Sequence, residues 1–264
     1  MELSVGILHP GDGGSIGSLK PSAFRPFDKL SEVKAEYAQF DRLTVYCAHR
    51  GGRMLTFEDV AVRRGEDCLF AGLCQSLGSG QMLQVSGANG AGKTTLLAAV
   101  AGLLPCEQGR ILWQGEDIRR CRADYAANMS YIGHAAGLKV ALSAFENLEF
   151  LLALRGLRRS RAQMRAALAE VGLVGEEYTP LTRLSAGQKR RVALARLRLE
   201  ESSLWVLDEP FTAIDRHGVA VLEERLVQHA ADGGMVLFTT HHVMPARPGL
   251  QQLDLAAYRL QVAA

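Results

Sequence analysis

Residues Gly87-Ala88-Asn89-Gly90-Ala91-Gly92-Lys93-Thr94-Thr95 fit the spacing G-x-x-x-x-G-K-[ST]. Gly87, Gly90 and Gly92 carry no Cβ to hold the backbone away from a ligand, so successive N–H groups can turn inward and cradle an anion. Lys93 is then set to reach the β- and γ-phosphates of a nucleotide, and the Thr94 hydroxyl to hold Mg²⁺. The flanks agree. The short apolar run Met82 to Val85 reads as a strand, and the apolar stretch Leu96 to Leu104 starts a helix whose positive end faces the same phosphates. In a chain of this length the four fixed positions arise by chance on the order of one time in a hundred. The expected ligand is a nucleoside triphosphate with Mg²⁺.

Two later apolar runs, Leu204 to Leu207 and Met235 to Phe238, are short and nearly continuous, as parallel strands covered on both faces would be. The first stops at Asp208-Glu209, the second at Thr239-Thr240-His241. Ligands of open α/β sheets collect at the carboxyl ends of strands, so these ends and Gly87 should meet over one nucleotide. Asp208, directly after a buried run, is placed to hold Mg²⁺ through water beside Thr94, and Glu209 to orient or deprotonate an attacking water.

The rest of the chain must position these groups. Its 264 residues are 48% hydrophobic and 22% charged with a net charge of +2, the composition of an ordinary soluble globular protein with no indication of a nucleic-acid partner. No run of eighteen apolar residues offers a membrane span. Cys47, Cys68, Cys74, Cys106 and Cys121 are odd in number and lack C-x-x-C spacing, so reduced thiols are expected and neither zinc nor a disulfide framework is indicated. Residues 1–53, rich in Gly, Ser and Pro between Pro10 and Pro26, are expected to be an extension that is disordered or outside the native reading frame. Ordered patterning begins at Met54 with the alternating stretch Leu55 to Val62, and Arg110 to Trp113 reads as a further strand. Ser143-x-x-Glu146 and Ser160-x-x-Gln163 have capping-box spacing ahead of amphipathic helices, the second stopping at Gly172. The domain is expected to span 54–250, with 251–264 as a C-terminal tail.

Leu184-Ser185-Ala186-Gly187-Gln188 resembles the LSGGQ signature of ATP-binding-cassette (ABC) ATPases, with Ala186 in place of one glycine. The resemblance covers Leu55 to about His242 and implies an α/β fold of P-loop NTPase type. Its parts would be a RecA-like core, an antiparallel β-subdomain and a helical subdomain at about 134–190. The resemblance makes the nucleotide ATP, with Ser185, Ala186, Gly187 and Gln188 approaching the γ-phosphate held by a second, identical subunit. On this reading Lys189, Arg190 and Arg191, close to a positive helix end, need anions nearby. Phe211-Thr212-Ala213-Ile214-Asp215 resembles the D-loop, with Asp215 organising the dimer interface, and His241 resembles the switch histidine that acts with Lys93 and Glu209 in catalysis. His134 stands where the family usually carries a glutamine beside the nucleotide. Arg64 replaces the usual adenine-stacking aromatic, and His242 is given no role.

The wording of Leu112 to Gly115, Tyr131 to His134, Leu184 to Leu197, Leu204 to Asp215 and Thr240-His241-His242 is similar to the CcmA family of cytochrome c maturation ATPases. That likeness implies ATP hydrolysis driving haem export or release of a haem chaperone. It also implies integral membrane subunits as partners and a peripheral place on the cytoplasmic face of the bacterial inner membrane. The alternative is the ATPase of another ABC exporter, for a lipid, drug or peptide. No haem ligand is assigned: His134, His229 and His241 are accounted for by nucleotide chemistry or surface placement.

Overall fold

The computed structural model describes residues 52–65 and 67–259; apart from Gly52 and Arg53, the extension expected over 1–53, Cys47 included, lies outside them. Strand β1 (Met54–Arg64) turns Leu55, Phe57, Val60 and Val62 into the core. The change of phase between Phe57 and Val60 is a bulge at Asp59, whose φ is +52°. Strand β2 (Asp67–Gly78) pairs with it antiparallel and leads to β3 (Met82–Ser86), the phosphate-binding loop and helix α1 (Lys93–Val100). Strands β4 (Gln108–Trp113) and β5 (Glu116–Asp117) complete an antiparallel sheet of order β2-β1-β4-β5.

Helix α2 (Arg122–Asn128) and strand β6 (Met129–Ile132) precede helices α3 (Ala144–Leu154), α4 (Arg161–Glu170), α5 (Ala186–Ala195) and α6 (Leu197–Glu200). Strand β7 (Leu204–Asp208), helix α7 (Arg216–Ala231), strand β8 (Met235–Thr239), strand β9 (Leu250–Asp254) and a 3₁₀ turn, Leu255–Tyr258, follow. The second sheet has the order β6-β7-β8-β3-β9 with every neighbour parallel. Every residue of β7 and β8 is buried, as the unbroken apolar runs required. Leu204 and Val206 pack on the α1 side with Leu96 and Leu97, whereas Trp205 and Leu207 pack on the α7 side with Leu222 and Leu226.

The helices between β6 and β7 have an apolar core of their own, built on Phe145, Leu148, Met164, Leu168, Leu181 and Val192 and reaching Leu199, beyond the expected boundary near 190. Reciprocal capping boxes close the N-termini of α3, α4 and α5, through Ser143 with Glu146, Ser160 with Gln163 and Ser185 with Gln188.

Three expectations are corrected. Helix α1 ends at Val100, so Leu103 and Leu104 lie past it and are exposed. Residues 251–258 are no tail: β9 adds an edge strand beside β3, and Leu253 and Leu255 are buried in the main core. Helix α7 places His229 flat against the buried Trp205 ring, with centroids 3.7 Å apart and planes 4° from parallel, so neither nucleotide chemistry nor surface placement explains it. Gly234 makes room, since a Cβ there would lie 2.3 Å from His229 Nε2.

Burial, helped by the positive charge of Arg225, pulls the His229 pKa down to about 4. The unfolded chain takes up this proton near pH 6.5 and the folded chain only near 4, so His229 costs stability as pH falls through that window. His229→Phe is therefore expected to flatten the decline in stability between pH 6.5 and 4, measured as urea midpoints across the range. Parallel pH profiles for the two proteins would contradict it.

Candidate functional site

Parallel pairing sets three strand ends level: Val85 of β3 and Asp208 of β7 both lie opposite Thr239 of β8. The phosphate-binding loop springs from the first of these ends. Gly92 adopts φ +99° as it enters α1, and a Cβ there would press at 3.1 Å on Leu69 and the Phe70 ring, so the loop's tight approach needs glycine. The Leu96 N–H is the first to bond back into the helix, to Gly92 O, leaving the preceding amides at the positive end of the dipole. Lys93 Nζ donates to Gly87 O at 2.7 Å and Ala88 O at 3.2 Å, which holds the ammonium over the loop. Asn89, Gly90 and Thr94 are exposed, while Ala91 is buried beneath.

Asp208 is 1% exposed. Its Oδ1 accepts the Thr239 hydroxyl at 2.7 Å, and Oδ2 is buried with no partner, an arrangement suited to a cation or a cation-bound water. Glu209 has φ +48°, a left-handed conformation that costs energy for a residue with a side chain. Two contacts hold it there. Its N–H donates to Thr239 Oγ1 at 2.9 Å, and the Asp208 carbonyl accepts from Arg190 Nη2 at 2.5 Å. Glu209 Oε2 accepts the His241 N–H at 3.3 Å, and Oε1 lies 3.6 Å from the exposed His241 ring. Asp208 thus ends β7, Glu209 and His241 follow β7 and β8, and Lys93 and Thr94 open α1 behind the loop that leaves β3.

The signature residues form a second group. Ser185 caps α5 and accepts the Gln188 N–H at 3.1 Å; Gln188 Oε1 accepts the Ser185 N–H at 2.8 Å, so its side chain is engaged in the cap. Ala186 is exposed, and Gly187 lies under the D-loop, where a Cβ would fall 2.2 Å from Ala213 O. Asp215 caps α7 by accepting the Gly218 N–H at 2.9 Å. No hydrogen bond or ion pair among the described residues joins this group to Lys93 or Asp208. His134 follows β6 and is exposed, as is Arg64.

Three residues gained functions that the sequence reading did not give them. Thr239 joins the two acids. His242 meets Glu223 Oε1 at 2.6 Å through Nε2 and leans on the Phe211 ring, with centroids 5.0 Å apart, which anchors the loop carrying His241 to α7. Arg190 is buried and bonded to backbone carbonyls, so the expectation that it answers an external anion is corrected: its counter-charges are Asp208 and Glu209 of its own chain. A charge on the same helical face as buried Ala193 and Leu194 was the available signal.

Known proteins share the sequence and the fold of this chain. The sequence profile of the family described as ABC transporter matches residues 71–212. The chain is 50% identical over 202 residues to the cytochrome c biogenesis ATP-binding export protein CcmA of Methylococcus capsulatus, covering 76% of this chain and 98% of that protein. The chain belongs to the CcmA family of ABC transporter ATP-binding proteins. A CcmA of Salmonella paratyphi A is 50% identical over 192 residues, 73% of this chain and 91% of the relative. An ABC transporter ATP-binding protein of Pyrococcus furiosus shares the fold with a TM-score of 0.69 at 22% identity, covering 78% of this chain and 98% of its own. The CcmA-family chain is an ATPase of P-loop ABC type, and the α/β class with separate antiparallel and parallel sheets is as the sequence implied. No helix among the described residues is long and apolar enough to cross a membrane.

The fit between Gly187 and Ala213 makes a specific demand. Gly187→Ala is expected to destabilise the domain by about 1–3 kcal/mol through overpacking against a backbone carbonyl, read as a lower thermal midpoint. A midpoint equal to that of the parent protein would contradict the packing described.

Proposed function

We propose that this chain is the ATP-hydrolysing subunit of an ABC complex serving cytochrome c biogenesis, coupling ATP binding and hydrolysis to haem export or to release of a haem chaperone. The observation that carries the assignment is 50% identity along 98% of a CcmA export protein, and the placement of Lys93, Thr94, Asp208, Glu209 and His241 at neighbouring strand ends supports it.

Chemically, the amides of residues 87–95 and the Lys93 ammonium neutralise the β- and γ-phosphates. The Glu209 carboxylate takes a proton from water as that water's oxygen bonds to the γ-phosphorus. The bond from γ-phosphorus to the bridging oxygen breaks, and ADP leaves. His241 orients the γ-phosphate and the water with Glu209. Thr94 and Asp208 are the residues that would hold Mg²⁺, and the unpartnered Asp208 Oδ2 fits that task. The ion would supply charge neutralisation at the phosphates.

Two copies form the working unit. The capped N-terminus of α5, with Ser185, Ala186, Gly187 and Gln188, faces the γ-phosphate in the second subunit, and Asp215 lies at the shared interface. Closure on ATP draws the helical arms together, and loss of the γ-phosphate releases them. Integral membrane subunits receive that motion near His134, on the cytoplasmic face of the inner membrane.

Glu209→Gln is expected to keep MgATP binding, lose about 10²–10⁴-fold in turnover and accumulate ATP-bound dimers on size-exclusion chromatography. In cells the same variant should fail to restore covalently haem-stained cytochromes to a strain lacking the gene. Parent-level turnover in vitro would remove Glu209 from its role, and undiminished c-type cytochromes in the deletion strain would overturn the pathway.

A further inference from the structure

Among the described residues strand β6 is an edge of the parallel sheet, so alternate backbone carbonyls on its outer side have no neighbouring strand there to bond. Three arginines from the helical arm take them. Arg155, at the end of α3, donates to Met129 O at 2.7 Å; Arg196, after α5, donates to Tyr131 O; Arg190, within α5, donates to Gly133 O at 2.9 Å. Their guanidinium groups bond to alternate carbonyls, two on β6 and one on Gly133 just past its end, as a side-chain substitute for a strand. Glu200 ties the lower two together, 3.3 Å from Arg155 Nη1 and 3.4 Å from Arg196 Nε.

The uppermost rung differs from the others. Arg190 reaches past β6 to the Asp208 carbonyl, and that carbonyl belongs to the peptide whose N–H, on Glu209, donates to Thr239. One peptide plane is therefore gripped on both edges, next to a residue at φ +48°. A left-handed glutamate relaxes toward ordinary backbone angles unless its flanking peptide is held, and relaxation would swing the carboxylate. Arg190 lies on the helix that Ser185 caps, so the same rigid element carries the signature end and the grip on Glu209.

We infer that Arg190 is a positioning residue for hydrolysis: it fixes the Asp208–Glu209 peptide so that the Glu209 carboxylate faces the γ-phosphate, and it ties that placement to the position of helix α5. The inference rests on Glu209 acting as the base. It predicts a split between chemistry and binding, since Arg190 touches neither the phosphate-binding loop nor Lys93.

The test compares Arg190→Gln with Arg155→Gln, which removes a rung distant from Asp208, by steady-state phosphate release and by equilibrium MgATP binding. Arg190→Gln should lower kcat about tenfold or more, as small misplacements of a reacting group do, with the Kd for MgATP held within about threefold. Arg155→Gln should lower the melting temperature and, below it, keep kcat within about twofold. Equal kcat losses in the two variants, or a Kd that rises in step with the loss of kcat, would overturn the inference. Should Arg190→Gln not fold, Arg190→Lys, which can reach only one of the two carbonyls, must show the same split, and an unchanged kcat in it is equally decisive against. Parent protein and Glu209→Gln run alongside: absence of hydrolysis by the parent refutes the ATPase reading itself, and parent-level hydrolysis in Glu209→Gln removes the base on which the inference rests; either is seen before any Arg190 variant is measured.

Discussion

The parallel register of β7, β8 and β3 is the constraint on which the site depends. It sets Asp208, Thr239 and Val85 side by side, so that a carboxylate, a hydroxyl and the root of the phosphate-binding loop leave the sheet at one level. Hydrophobic burial on both faces of β7 and β8 holds that register: sliding β7 by one residue would exchange Trp205 and Leu207 for Leu204 and Val206 in their packing layers, and sliding β8 would exchange Val236 and Phe238 for Met235 and Leu237. The Thr239 hydroxyl then turns register into chemistry. By donating to Asp208 Oδ1 and accepting from the Glu209 N–H it gives two adjacent acids different environments, one buried and one bordering the exposed His241. Adjacent acids in unlike surroundings can take unlike tasks, one holding a cation and the other moving a proton.

The helices between β6 and β7 are ordered by contacts of their own. Their apolar core and three capping boxes give them internal order, while they hold the sheet in two ways: Ala193, Leu194 and Leu197 pack with Ile132, Trp205 and Leu207, and guanidinium groups bond to backbone carbonyls of β6 and Gly133. A charge-assisted hydrogen bond is directional and can be re-formed at another carbonyl, whereas interdigitated apolar packing resists small displacements. Both kinds of contact are present here, apolar packing through Ala193, Leu194 and Leu197 and directional bonds through Arg155, Arg190 and Arg196.

The parts legible from sequence were those encoded at short, fixed offsets. Gly87 to Thr95, Ser185 to Gln188, Asp208-Glu209 and the capping pairs each act within one turn or one loop, so their spacing carries their geometry. What stayed hidden depends on contacts between distant residues. Leu253 and Leu255 read as a tail because a strand at a sheet edge is short and mixed in character, and only its pairing with β3 gives it a place. Arg190 read as one of a basic trio, since nothing local reveals that residue 208 lies beneath it. His229 read as a histidine of nucleotide chemistry or surface placement because only the fold supplies the Trp205 ring that covers it.

Titration calorimetry of the purified chain with MgATP, against the same experiment on Lys93→Ala, bears most directly on the claim that loop amides, a lysine and paired acids converge on one magnesium triphosphate. The expected result is one nucleotide bound per chain, with binding lost in the variant. No binding by the parent chain, or equal affinity in Lys93→Ala, would contradict the account.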